Sequence, residues 1–167
     1  KSLLRKEAIR IFEEHNVLTE REIRARYEIK LENYVRKIQI ESRVMGDLAI
    51  NHIIPISIRY QNQLIDNVKG LKEALDNKTY VALSKNQLDT IREISEHISI
   101  IRDRVIKMTE ARRLVNRITD IEKQAVAYKE KVLVFFDEIR YHADKLELMV
   151  DNEIWPLPKY RELLFIR

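Results

Sequence analysis

Four histidines, six serines, no cysteine and only two glycines set what chemistry this 167-residue chain can do. Glu93 and His97 are four residues apart, as are Glu138 and His142. On a helix each pair shares a face, where a carboxylate can meet an imidazole. A di-iron site in a helical bundle needs another spacing, Glu-x-x-His on facing helices. The residues three before His15, His52, His97 and His142 are Phe12, Ala49, Ile94 and Ile139, none of them acidic. Each Glu–His pair therefore reads as a surface ion pair or hydrogen bond. His52 stands beside Asn51 in an apolar stretch and is expected to be a core histidine, satisfied by a backbone carbonyl that Pro55 leaves free.

Nucleophilic chemistry finds no support either. No serine lies in a Gly-x-Ser-x-Gly turn. With Gly46 and Gly70 alone, neither the dinucleotide fingerprint nor the P-loop can be written. No catalytic, cofactor-binding or metal-ligating residue is assigned. The segment from Arg102 to Arg117 is locally basic, with Arg102, Arg104, Lys107, Arg112, Arg113 and Arg117 against Asp103 and Glu110. A nucleic-acid helix has this look. The interleaved Val105, Met108, Ala111 and Val115 instead give most of these cations to the outer side of a packed helix, a solvated face or an inter-subunit surface. The net charge of +4 comes from 31 basic and 27 acidic residues, mixed along the chain, which does not call for a polyanion partner.

The elements that position these residues read as helices, and the expected fold is all-α. Between Gly70 and Pro156 there is no helix breaker. The expected architecture is a single helical domain: a short helix in 1–16, a kinked long helix over 19–76, a second long helix over 84–150, and an extended apolar tail over 151–167. Asn16 suits the left-handed end of the first helix. Thr19-Glu20-Arg21-Glu22 is a capping box, stapled by Leu18 and Ile23, and Ser84-Lys85-Asn86-Gln87 reads as a second one, with Asp76 to Leu83 as the connection. An apolar stripe from Ile23 to Leu75 has one gap, at Ser42, and is interrupted by Pro55, where a kink is expected. From Val44 to Ile58 the apolar residues cover most of the helix circumference, so a third element or another domain must bury them. The stripe from Ile91 to Leu146 repeats about every 3.4 residues, near a coiled-coil seam. Uninterrupted, it spans on the order of 90 Å, and Thr119 or Asp120 could cap a new helix within it. The long helices around Pro55 and Met108 are expected to pack as an antiparallel hairpin, with the first helix over one end.

Absence of cysteine fits a reducing compartment. No apolar run reaches the ~18 residues of a membrane span, and no signal peptide is read at Lys1 to Arg10, so the expected location is cytoplasmic, with no membrane partner. The chain opens on Lys1 rather than Met, which suggests a piece of a longer polypeptide.

Two blocks carry a family resemblance. Glu41-Ser42-Arg43-Val44-Met45-Gly46-Asp47-Leu48-Ala49-Ile50-Asn51-His52-Ile53-Ile54-Pro55 resembles a segment near the C-terminus of type III glutamine synthetases, the large bacterial form. Ala25-Arg26-Tyr27-Glu28 before it and Tyr60-Gln61-Asn62 and Asn67-Val68 after it are similar as well. Trp155-Pro156-Leu157-Pro158-Lys159-Tyr160-Arg161-Glu162-Leu163-Leu164-Phe165 resembles that family's extreme C-terminus, while 75–143 matches as generic long helix. The resemblance implies a parent that makes glutamine from glutamate, ammonia and ATP with Mg or Mn, through a γ-glutamyl phosphate that ammonia attacks. It also implies two stacked hexameric rings. None of the family's glutamate, ATP or metal motifs can be placed here, so the fragment itself is expected to hold no cofactor and to be non-catalytic. Its expected partners are the upstream catalytic domain and neighbouring subunits, through a packing surface of Met45, Leu48, Ile53, Ile54, Trp155, Leu157, Tyr160, Leu163, Leu164 and Phe165. Two alternatives are a free-standing coiled-coil interaction module built on Ile91 to Leu146 and a nucleic-acid-binding module using Arg102 to Arg117.

Overall fold

Seven α-helices, two 3-10 turns and one π turn make up the residues described, 2–164, in the computed structural model, with no strand among them. Phe165 lies outside the described residues, as does the side chain of Tyr160. The helices are α1 (Lys6–Glu14), α2 (Glu20–Leu48), α3 (Ile54–Ala74), α4 (Asn77–Val115), α5 (Ile121–Lys131), α6 (Phe136–Met149) and α7 (Tyr160–Leu164). The fold is all-α, as the sequence reading has it.

The first helix ends on Asn16, whose φ is 51°. The amide of Val17 bonds the carbonyl of Phe12 and that of Asn16 bonds Glu13, each at 3.0 Å, which completes a Schellman motif. Thr19 then starts α2 through its capping box: the Thr19 amide donates to Glu22 Oε2 at 2.8 Å, and the Glu22 amide donates to Thr19 Oγ1 at 3.4 Å.

The interruption at Pro55 takes the form of one π turn, Ala49–Ile53, between α2 and α3. The Ile54 amide bonds the carbonyl of Ala49, five residues back. Proline has no N–H to give the turn before it and its ring needs room there. A π turn widens the helix by one residue just ahead of Pro55, which sits in the first turn of α3, so the chain continues. Ser57 Oγ donates to the Ile53 carbonyl at 2.7 Å and is fully buried. Ser42, the gap in the apolar stripe, is buried because its Oγ donates to the Gln39 carbonyl at 2.9 Å.

Three expectations need correction. Asp76 to Leu83 is not a connection and Ser84 does not cap a helix. Asp76 is the N-cap of α4, accepting from the Thr79 amide at 3.2 Å, and Ser84 lies inside the helix, buried. Leu75 and Asp76, both extended, make the whole turn, so a nearer cap wins over the later Ser-x-x-Gln pattern. Second, 84–150 is not one helix but α4, α5 and α6. Asp120 caps α5 by accepting from the Lys123 amide at 3.0 Å, and the β-branched and aromatic run from Val132 to Phe136 holds the second break, with a 3-10 turn at Leu133–Phe135. Third, the tail is not extended throughout, since α7 forms with the Lys159 amide donating to Glu162 at 3.3 Å.

Folding back at these breaks packs α3, α6, α2 and α5 against α4. The contacts of α3 lie toward its N-terminal part, those of α6 along its middle at His97 and Arg104, and those of α2 and α5 toward its C-terminal end. Cross-helix bonds set an antiparallel register: Gln61 reaches the Ile91 carbonyl at 2.8 Å, and Asn67 reaches Gln87 at 3.0 Å. Ile94, Ile101, Met108, Val115, Tyr128, Val132 and Leu146 are at most 2% exposed. The stripe that suggested a seam for another chain is thus buried within this one, which removes its support for a coiled-coil module.

Candidate interaction surfaces

An apolar groove of about 430 Å³ runs between the end of α2, the π turn and α6. Ile40, Val44, Met45 and Leu48 form one wall and Phe136, Ile139 and Ala143 the other, with Ala49 and Ile53 also lining it and Glu41 and Arg140 as its charged members. Helix spacing explains the first wall: positions 40, 44 and 48 follow each other at i,i+4 on one face of α2. Ile40 is 55% exposed and Val44 is 51% exposed. The apolar stretch from Val44 to Ile58 is therefore covered on one side only, by α4 and α6.

Of the predicted surface residues, Met45 and Leu48 are half-buried at this groove. Ile53 is buried and lines the groove, Ile54 and Trp155 belong to the core, and Leu157 is partly buried against that core. Leu163 and Leu164 on α7 are exposed. The sequence reading missed Ile40 and the α6 wall because only the fold-back at Val132–Phe135 brings α6 beside α2. Trp155 is held by Lys159, whose ammonium lies 5.5 Å from the ring centroid. The same Nζ donates to the Glu147 carbonyl at 2.6 Å, closing the end of α6, and to Asn152 Oδ1 at 2.5 Å.

His52 is exposed, against the expectation of a core histidine. The π turn turns Ile53, Ile54 and Ser57 toward the core and leaves His52 and Asn51 outside, where Asn51 bonds Asp47 at 2.6 Å. Of the two Glu–His pairs, Glu93–His97 forms as an i,i+4 contact, and Glu138–His142 gives way to other partners. His97 on α4 and His142 on α6 meet each other, Nδ1 to Nδ1, at 2.8 Å. Glu93 stays 3.7 Å from His97 Nε2, and Glu138 turns instead to Arg104, at 2.7 Å. One imidazole of such a pair must donate and the other accept, so the contact needs at least one neutral ring. Burial lowers the pKa of His142, and His97 pushes it down further, with Arg104 adding and Glu138 opposing. No group of three or more His, Asp or Glu side chains suited to a metal ion occurs among the described residues.

The basic segment divides. Arg104 pairs with Asp103 and Glu138, and Lys107 pairs with Asp103 at 2.8 Å. Arg102, Arg113 and Arg117 are exposed, and Arg112 is half-buried at the α2–α4 crossing. Beside it, Tyr128 donates to Asn116 Oδ1 at 2.5 Å, and burial raises the pKa of this phenol. Among the described residues no helix is long and apolar enough to cross a membrane.

Residues 1–72 match the model of the family described as the glutamine synthetase C-terminal domain. This part of the chain belongs to that family. Nearly the whole chain aligns with relatives. It is 47% identical over 151 residues to a glutamine synthetase of Bacteroides fragilis, covering 90% of this chain and 21% of the relative. It is 25% identical over 159 residues to the type-3 glutamine synthetase of Dictyostelium discoideum, covering 95% of this chain and 22% of that protein. A glutamine synthetase of Butyrivibrio fibrisolvens is 28% identical over 159 residues, again 95% of this chain and 22% of the relative. The chain spans 21–22% of the length of these curated relatives. The matched residues of this C-terminal domain family include the whole Glu41–Pro55 block, hence the α2 wall of the groove and the π turn.

Proposed function

We propose that this chain is an accessory helical domain of a type III glutamine synthetase and that it contributes assembly rather than chemistry. The parent would ligate ammonia to glutamate at the expense of ATP, with ATP and Mg or Mn bound by a catalytic part that this chain does not supply, in the cytoplasm. The observation that carries the reading is the α2–α6 groove. It is apolar, it is flanked by side chains more than half exposed, and it belongs to a chain about a fifth as long as its relatives. Apolar concavities of this kind mark sites where protein docks. The catalytic part of the same polypeptide, or a neighbouring subunit of a ring assembly with two stacked hexamers, is the proposed occupant.

The purified chain is expected to form no glutamine and bind no ATP. Measurable glutamine synthesis by the chain alone would refute the non-catalytic reading. In the longer polypeptide, Val44→Glu should shift assembly to smaller species by sedimentation, while the same change leaves the helicity of the isolated chain intact. Assembly indifferent to Val44→Glu and Ile40→Glu together would remove the groove from this role.

A further inference from the structure

The α2–α4 crossing brings arginines together without an acid. Its register is fixed on both sides. A Cβ at Gly46 would stand 3.5 Å from Val105 Cγ1 and 3.8 Å from Met108 Cε, and Gln39 Nε2 reaches Asn116 Oδ1 at 3.4 Å. The helices are antiparallel, so Arg43, between Gly46 and Gln39, comes level with Arg112, between Met108 and Asn116. Arg113 follows on the same turn. Nη1 of Arg112 is shut off from solvent and has no hydrogen-bond partner. The nearby cations, Arg43 and Arg113, act in the same direction as burial, the largest effect, and lower the pKa of Arg112; only Tyr128 opposes. No ion pair joins Arg43, Arg112 or Arg113 to an acid among the described residues, whereas Arg104 and Lys107 on the same helix each have one.

A guanidinium does not relieve such a position by losing its proton, and a buried cationic N–H without an acceptor is unfavourable. The missing component is a negatively charged acceptor. We propose that Arg43, Arg112 and Arg113 form a seat for an oxyanion, a carboxylate or phosphate group, with Arg112 at its centre. The planar fork of arginine matches both groups through two parallel hydrogen bonds. Tyr128 gives its hydroxyl proton to Asn116, and Arg112 Nη1 makes no hydrogen bond to the phenol oxygen. The oxyanion has two possible sources, a free ion or an acidic side chain from elsewhere in the longer polypeptide. The seat itself does not depend on the proposed parent.

The test titrates the 167-residue chain, in chloride buffer at constant ionic strength, with inorganic phosphate and separately with acetate. The melting temperature and the side-chain Nε resonance of Arg112 are followed. At least one of the two anions should move both saturably, and matched sodium chloride should not. Arg112→Lys, which keeps the charge and loses the fork, should weaken the response at least tenfold. Arg112→Gln should abolish it yet melt no lower than the unchanged chain in chloride, since it removes an unpaired cation. A purely structural arginine would lower that melt. Arg43→Gln, at an exposed position, should weaken anion binding with the chloride melt unchanged, and it decides the matter if Arg112→Gln fails to fold. A response no larger than that to chloride, or one that survives both glutamine variants, overturns the seat. The same titration of the longer polypeptide separates the sources: a response retained there assigns a free anion, and one lost there assigns the protein's own carboxylate.

Discussion

Asn16 shows how a single side chain sets a boundary. At a φ of 51° it lies in the left-handed region, and the two amides that follow His15 close back on α1. A β-branched residue there meets its own backbone, so Asn16→Val should cost about 1–2 kcal/mol in urea denaturation, while Asn16→Gly should cost close to nothing. This position was legible in the sequence because its conformation is decided within six residues. Thr19 was legible for the same reason. Ser42 was visible as a gap in the stripe, and its bond to the Gln39 carbonyl shows how a hydroxyl takes an apolar position. His52 was not legible. Which way it points depends on the extra residue in the turn ahead of Pro55, and no local pattern of apolar spacing reports that residue.

At the scale of elements, helix type was written plainly in the periodicity, and helix ends were not where two signals competed. Asp76 and Ser84 both head acceptable capping patterns, and the nearer one started α4 because it left no structureless connection to order. The long stripe from Ile91 to Leu146 kept its period through two breaks, since each new helix faces the same core. The meeting of His97 with His142 depends on how α6 returns along α4, which spacing within either helix cannot show. That seam should respond to pH. The pKa of His142 is held below its ordinary 6.5 in the folded chain, so the unfolded chain takes up the proton more readily. The contribution is therefore fully present above about pH 6.5 and is lost as the pH falls through the lower folded value. The melting temperature should drop between pH 7.5 and 5.5, and His142→Gln should flatten that slope. An identical slope in the variant would place the effect elsewhere.

For the whole molecule, the division between what the chain buries and what it leaves open is the main outcome. Ile101, fully buried, stands on the Ile91–Leu146 stripe, and Val44, 51% exposed, in the stretch that is apolar around most of the helix, so apolar type alone does not separate them. Ile101→Ala should cost about 2–5 kcal/mol of stability. Val44→Glu should stay within about 0.5 kcal/mol in the isolated chain, because the groove has lost no internal partner. Chemical denaturation of the two variants side by side checks the contrast. The π turn has one more consequence, for insertions and deletions. It acts as a phase adjuster between α2 and α3: a helix lacking one of its residues would run straight on, but one half would be rotated by about 100° relative to the other. Ser42 and Ser57 could then no longer both point at the core. A chain with Asn51 deleted should keep its helical circular dichroism and lose its sharp melt, although Asn51 itself is exposed. At this point along the chain, residue count should matter more than residue identity.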